Sequence, residues 1–440
     1  MTFPESEQYL FGLIDYEKTP AQQATGAYLH LDRMREAMTR LQNPQARLRC
    51  VHIAGTKGKG STAAMVAQML RAAGRRVGLF TSPHLITFRE RMRIDDQLIS
   101  EDELARLVGE IRPVIEAMRD SVNGAPTFFE AYTLLAFRWF AEQHVDFVVL
   151  ETGMGGRLDA TNVVTPLVTA ITTIAYDHMT ELGHTLAAIA EEKAGIIKQG
   201  IPVVSAPQQP EAAEVIARVA AEHESALYRV GAEITILPST FVSPVSQRFT
   251  IEGRRGVYAD ISCPLLGEHQ QVNAAVAIGI VECLRDLGES IPPTAVRTGM
   301  ATVHWPGRMQ VLRERPLLLL DGAHDPASVT ALLAALDRHF PGRPRHFVLG
   351  FSREKDWPQM LRQFAPAATR MVLTAAATPR AVPPGELAEA VERLNVPAET
   401  ALTVSEAVAL ALRATAPNDL LCVTGSLYVV GDALKWWQAH

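Results

Sequence analysis

The stretch Cys50–Leu70, "CVHIAGTKGKGSTAAMVAQML", decides the fold. An apolar, β-branched run ends in a loop carrying Gly55, Gly58 and Gly60 with Lys57 and Lys59, and an alanine-rich helical texture follows. A strand that passes through bare backbone into a helix aims several N–H groups, and the positive end of the helix dipole, at one point. That arrangement suits phosphate. Lys59 would supply a cation for the β- and γ-phosphates, and Ser61 or Thr62 a hydroxyl for Mg²⁺. The spacing departs from G-x-x-x-x-G-K-[ST], because Gly60 separates Lys59 from Ser61 and Gly55 stands too close to the lysine. Glycine torsions alone would also explain such a joint, so the rest of the chain has to decide. Lys57 reads as a solvated loop residue.

Outward from this stretch, "DFVVLETG", "RRVGLFTSP", "PLVTAITTIA" and "IPVVSAP" read as buried strands closed by turn residues. "SEDELARLVGEIRPVIEAM" and "FFEAYTLLAFRWFAEQ" have helical spacing, with Ser100 and Glu103 set as a capping box for the first. The alternation predicts an α/β fold with a mainly parallel sheet covered on both faces. From Tyr228 to Leu266 the texture turns strand-like with little helix, an antiparallel excursion, and a helix follows at "HQQVNAAVAIGIVECLRDLG". After "HWPGRMQ" the alternation resumes in "RPLLLLDGAHDP", "RHFVLGF", "RMVLTAA" and "DLLCVTGS". A chain of 440 residues exceeds the usual single core. The expected domains are 1–302, of P-loop ATPase type, and 303–440, smaller and Rossmann-like.

A formal net charge of −6 argues against a general nucleic-acid binder. Four scattered cysteines suit a reducing compartment and give no zinc or disulfide pattern. The N-terminus "MTFPESEQYLFGLIDYEK" lacks a signal pattern, and no long apolar run suggests a span. The expectation is a cytoplasmic monomer with no nucleic-acid or membrane partner.

Further stretches join the loop: "TSPHL" (81–85), "ETGMGGRLDATN" (151–162), "DHMTELGHTLAAIAEEKAGIIK" (177–198), "LLGEHQQVNAAVA" (265–277), "WPGRMQ" (305–310) and "DGAHDP" (321–326). In this order, from about Tyr9 to Asp432, the chain resembles the folylpolyglutamate synthase/dihydrofolate synthase family of the Mur ligase superfamily. The resemblance implies ATP-dependent ligation of L-glutamate to a folate carboxylate through an acyl phosphate. Tetrahydrofolate polyglutamylation is implied, with dihydropteroate plus glutamate to dihydrofolate beside it. Phosphoryl transfer mostly needs positioning and charge neutralisation, and no Ser-His-Asp or Cys-His nucleophile set stands out.

Several residues have a bland reading beside the implied one. Glu151, at a strand end where ligands approach a parallel sheet, reads as a cap or ion-pair member. His178 reads as structural, Lys193 as a solvated helix-face cation, and Asn273 as a polar helix residue. The resemblance instead places Ser61, Glu151 and His178 around Mg²⁺, with two ions expected, and allows Lys193 to carry a carbamate that ligates metal. It places Gly55, Thr56, Gly58, Lys59, Gly60, Ser61, Thr62, Asn273, Arg308 and Asp321 at ATP. Lys59, Lys193, Arg308 and His324 take catalytic roles, and Ser82, Pro83, His84, His324 and Ser426 contact substrate. Phe128 and Phe129 could stack a pterin ring, but core packing is the expectation. Three positions depart from the family pattern: Lys57 and Asp325 where Asn is usual, and Glu354 where Asp is usual. An extra charge at Asp325 would repel a glutamate carboxylate. The alternatives are another Mur-type amino-acid ligase, a non-ligase P-loop ATPase and a nucleotide sensor.

Overall fold

The computed structural model describes residues 1–15, 30–237 and 243–440. In chain order the first strands are β1 (Cys50–Ala54), β2 (Val77–Phe80), β3 (Met92–Ile94), β4 (Gln97–Leu98), β5 (Phe147–Glu151), β6 (Val168–Ile171), β7 (Val203–Ser205) and β8 (Leu227–Arg229). Among the described residues they form one sheet, ordered β4-β3-β2-β5-β1-β6-β7-β8. Pairing is parallel from β2 to β8, as predicted as far as β7, whereas β8 lies where the antiparallel excursion was expected to begin. The β3–β4 edge is antiparallel and was not legible as strands. Its turn residues, Asp95 and Asp96, both have positive φ, the geometry of a tight hairpin.

Alternate residues of the central strands serve opposite cores, as the pleat requires. Phe147 and Val149 pack with the helices Lys59–Ala72, Glu268–Asp286 and Pro293–Thr302, while Val148 and Leu150 pack with Glu101–Ala117 and Phe128–Glu142. Phe128 lies in the second core, as expected, and the Phe129 ring packs at its margin against Gly153. The Ser100 box is only half made. The Ser100 hydroxyl accepts from the Glu103 N–H, whereas the Glu103 carboxylate accepts from Gln143.

The excursion forms β9 (Thr235–Leu237), β10 (Gln247–Gly253) and β11 (Gly256–Cys263), an antiparallel sheet ordered β11-β10-β9. Residues 238–242 of that predicted stretch lie outside the described residues. The last strands are β12 (Gln310–Glu314), β13 (Leu317–Leu320), β14 (Arg345–Leu349), β15 (Arg370–Leu373), β16 (Ala398–Thr400) and β17 (Leu420–Thr424), ordered β12-β13-β17-β14-β15-β16. Only β12 runs antiparallel. Leu317 and Leu319 enter one core of this sheet, and Leu318 and Leu320 the other. All four cysteines are buried and free. Among the described residues no helix is long and apolar enough to cross a membrane.

Candidate active site

Loops at the C-terminal ends of the two parallel sheets meet, with Lys57 against Asp325 and Lys355 against Asp177. β1 runs into Gly55, and the loop closes at Gly58, the N-cap of helix Lys59–Ala72 with φ of 89°. That torsion favours glycine. The site is also crowded, because a Cβ at Gly58 would collide with the Asn273 carboxamide. Asn273, buried near the start of its helix, is therefore seated on the phosphate loop. A Cβ at Gly60 would meet the Trp305 ring at 2.9 Å, so the segment between the sheets also touches the loop. Ser61 and Thr62 are buried in the first turn, and the Thr62 hydroxyl has no hydrogen-bond partner. Such an orphan next to four free helix N–H groups marks a place for a ligand oxygen.

Glu151 ends β5 in the middle of the sheet. Its Oε2 accepts from Ser82 N at 3.2 Å, and Lys59 Nζ lies 3.9 Å from Oε1. Burial pushes this carboxyl up to about 7, against the pull of Lys59. A buried carboxylate short of partners is what a divalent cation would ionise and hold. Among the described residues no three His, Cys, Asp or Glu side chains converge as a cage. Glu151 and the Ser61 hydroxyl are hard oxygen donors beside a phosphate loop. That fits Mg²⁺, which takes one or two carboxylates and fills its sphere with phosphate oxygens and water. His178 is less well placed. Its ring is half exposed, in left-handed backbone (φ 49°), with Asp177 Oδ1 at 4.0 Å.

Lys193 overturns its bland reading. It is 4% exposed, and its Nζ donates to Gly55 O at 2.9 Å, under the phosphate loop. Burial first, and then the Lys59 charge, pull its amine down to about 7. The flanking glutamates do not hold it as a cation, because Glu191 pairs with Arg218 and Glu192 with Arg157.

The second sheet supplies the opposite wall. Arg308 lies against Gly322 and donates to Gly307 O at 3.1 Å. Among the described residues no carboxylate makes a close ion pair with it, although its charge acts on the buried Asp321 and Glu151, and a guanidinium so placed can take an anion. Asp321 spends both oxygens on the loop, accepting from Met309 N and Ala323 N at 2.9 Å each. Burial raises its proton affinity, although Arg308 opposes that. The His324 ring holds Gly322 O at 2.8 Å through Nδ1, so its Nε2 is the lone-pair side. Burial, then Lys57, lowers His324 to about 4 and keeps it neutral. Ser426 follows β17 and caps the helix Leu427–Ala439 by accepting from Tyr428 N, with Gly425 N bonded to Ala323 O. On the first sheet, Ser82 and Pro83 lead to His84, whose Nδ1 accepts from the buried Arg91 at 3.1 Å. Thr56 closes the loop differently, exchanging hydrogen bonds with Ala175.

Two readings are corrected. Lys57 is not a solvated loop cation, because its Nζ pairs with Asp325 and lies 3.5 Å from both Asp177 Oδ2 and His324 Nε2. Asp325 is not an uncompensated charge, because that same lysine neutralises it while its other oxygen caps the helix Pro326–His339. Asp177 itself was missed. An acid in the loop that follows β6, as in "IAYDH", was the available signal. Lys355 also reaches it, at 3.0 Å. Burial would raise Asp177, but Lys57, His178 and Lys355 hold it well below the usual carboxylate range.

The Mur ligase middle domain matches residues 53–281, and the Mur ligase glutamate ligase domain matches residues 307–427. A Bacillus subtilis protein named dihydrofolate synthase/folylpolyglutamate synthase is 38% identical over 407 residues, 92% of this chain and 94% of its own. The chain belongs to the folylpolyglutamate synthase/dihydrofolate synthase family. Its backbone agrees. The Mycobacterium tuberculosis folylpolyglutamate synthase complexed with ADP superposes with a TM-score of 0.89 at 34% identity, covering 99% of this chain and 98% of that one. A folylpolyglutamate synthase complex with AMPPCP and folate gives a TM-score of 0.85 at 33% identity over 100% of both chains. In this family the phosphate loop and Glu151 fall within the middle-domain match, and Arg308 and His324 within the glutamate ligase match.

Proposed function

We infer that this chain is an ATP-dependent acid–amino-acid ligase that joins L-glutamate to a folate carboxylate. The observation that carries the reading is the pairing of a glycine loop and buried carboxylate on one sheet with Arg308 and His324 on the other. The two sides belong to domains 1–302 and 303–440. The loop amides, Lys59 and Arg308 bind and neutralise the nucleotide phosphates, with Gly55, Thr56, Gly58, Gly60, Thr62 and Asn273 shaping the cradle. Asp321 holds the facing loop in place. Ser61, Glu151 and His178 would hold Mg²⁺, with a carbamylated Lys193 at a second ion. The metal supplies charge neutralisation and orientation at the phosphates.

The folate carboxylate, held near Ser82, Pro83 and His84, attacks the γ-phosphorus and ADP leaves. The glutamate amine then attacks the acyl carbon and phosphate leaves, with the product amide retaining one carboxylate oxygen. His324 and Ser426, on the facing loops, would orient the incoming glutamate, and the departing phosphate takes up the proton that the amine sheds. Closure between domains keeps water from the acyl phosphate. Both tetrahydrofolate and dihydropteroate are acceptors in this reading, and the chain acts as a cytoplasmic monomer. The test is phosphate release from ATP with glutamate, run separately with dihydropteroate and tetrahydrofolate. The expected result is release that needs ATP, glutamate and either acceptor. Turnover independent of any acceptor would contradict a ligase.

A further inference from the structure

Beside the phosphate loop, four charges alternate in sign. Lys355 Nζ meets Asp177 Oδ1 at 3.0 Å, Asp177 Oδ2 meets Lys57 Nζ at 3.5 Å, and Lys57 meets Asp325 Oδ2. Lys57 and Asp177 come from the first sheet's loops, and Asp325 and Lys355 from the second's, so each side contributes one cation and one anion. All four side chains are largely shielded from water, which strengthens such a network relative to exposed pairs.

Opening the cleft would break the Lys57–Asp325 and Lys355–Asp177 contacts together and leave Lys57 with Asp177. Asp325 is the pivot. Oδ1 accepts from Ser328 N at 3.0 Å as the helix cap, and Oδ2 faces Lys57. The same ammonium lies 3.5 Å from His324 Nε2. One lysine of the phosphate loop thus fixes the position of the loop that carries His324.

We propose that Lys57 is a positioning residue for the amino-acid step: through Asp325 it docks the Asp321–Asp325 loop on the phosphate loop and cancels the Asp325 charge that an incoming amino dicarboxylate would meet. This rests on the ligase reading. Removing the lysine exposes a bare carboxylate to the substrate's own carboxylates. Removing both charges leaves a neutral pair that can still hydrogen-bond across the gap.

The test is a double-mutant cycle of Lys57→Gln and Asp325→Asn, with Lys57→Arg as the charge-keeping control. Asn caps a helix as well as Asp does, so Asp325→Asn keeps the helix start. Kinetic constants for glutamate and ATP are measured together with Tm. Lys57→Gln should raise KM for glutamate about tenfold and leave KM for ATP nearly unchanged, as expected for a directly coupled charge pair. The double variant should recover to within about threefold of wild type, and Lys57→Arg should stay close to wild type. Additive single effects, unchanged KM for glutamate in Lys57→Gln, or a change confined to ATP would each overturn the proposal. Coupling seen in Tm but not in KM for glutamate would overturn it too, since a purely structural pair behaves that way. If wild type itself shows no glutamate-dependent turnover, the ligase reading fails. The Tm cycle then decides separately whether the ion pair exists, and absence of coupling there overturns the docking contact.

Discussion

Lys59→Ala is expected to lose about 10²–10³ in kcat, the usual cost of removing one preorganised electrostatic contact from a reacting centre. Lys59 is the first residue of the helix that the phosphate loop opens, and its ammonium lies 3.9 Å from Glu151. Two losses combine. The γ-phosphoryl group loses a cation as its charge shifts during transfer, and Glu151 loses the charge that opposes its burial. Because burial already pushes that carboxyl up to about 7, it rises further and protonates near neutral pH, which weakens it as a metal donor. Steady-state phosphate release with saturating glutamate and acceptor reads the effect. KM for glutamate should move little, because the lysine is not on the glutamate side. A variant with near wild-type kcat would show that the loop is a structural joint only.

Lys193→Ala and Lys193→Arg are expected to be equally damaged, each losing most of the activity. Arginine keeps the positive charge, so a role as a cation would be preserved by it. The buried amine donates to Gly55 O and is pulled down to about 7, so near neutral pH a large share is the free base. The free base and CO₂ give a carbamate and one proton, and the remaining N–H can still donate to Gly55 O. The product places two hard oxygens beneath the phosphate loop, suited to Mg²⁺. Bicarbonate, or a short-chain carboxylate, should partly rescue Lys193→Ala and not Lys193→Arg, which fills the space. A ¹³C resonance from labelled CO₂, present in wild type and absent in both variants, checks the chemistry apart from turnover. Activity should fall as pH drops below about 7, because protonation of the amine removes the carbamate's precursor. A fully active Lys193→Arg would reduce the residue to a structural cation.

The parallel sheet and the glycine loop that opens its helix were legible because their signals are local. β-branched strands closed by glycine, and a lysine beside a helix start, need no distant partner to be recognised. The β3–β4 hairpin was not, since its strands span only Met92–Ile94 and Gln97–Leu98 and carry Arg93 and Gln97. Lys193 looked solvated because "IAEEKAG" is a surface texture. It is buried in the fold, where its Nζ meets the carbonyl of Gly55, 138 positions earlier. Lys57 and Asp325 each looked like an isolated oddity. They are 268 positions apart, and only their meeting across the cleft turns two unexplained charges into one pair. Asp177 was hidden by the histidine beside it, which draws the metal reading although its ring is the less enclosed of the two.

The central claim is that ATP activates the folate carboxylate before glutamate arrives, and oxygen labelling tests it most directly. With ¹⁸O in both oxygens of the acceptor carboxylate, one label should appear in inorganic phosphate for each amide formed, because the acyl–oxygen bond breaks when the amine attacks. Phosphate released without ¹⁸O, while amide accumulates, would contradict the acyl-phosphate route and the role given to the facing loops.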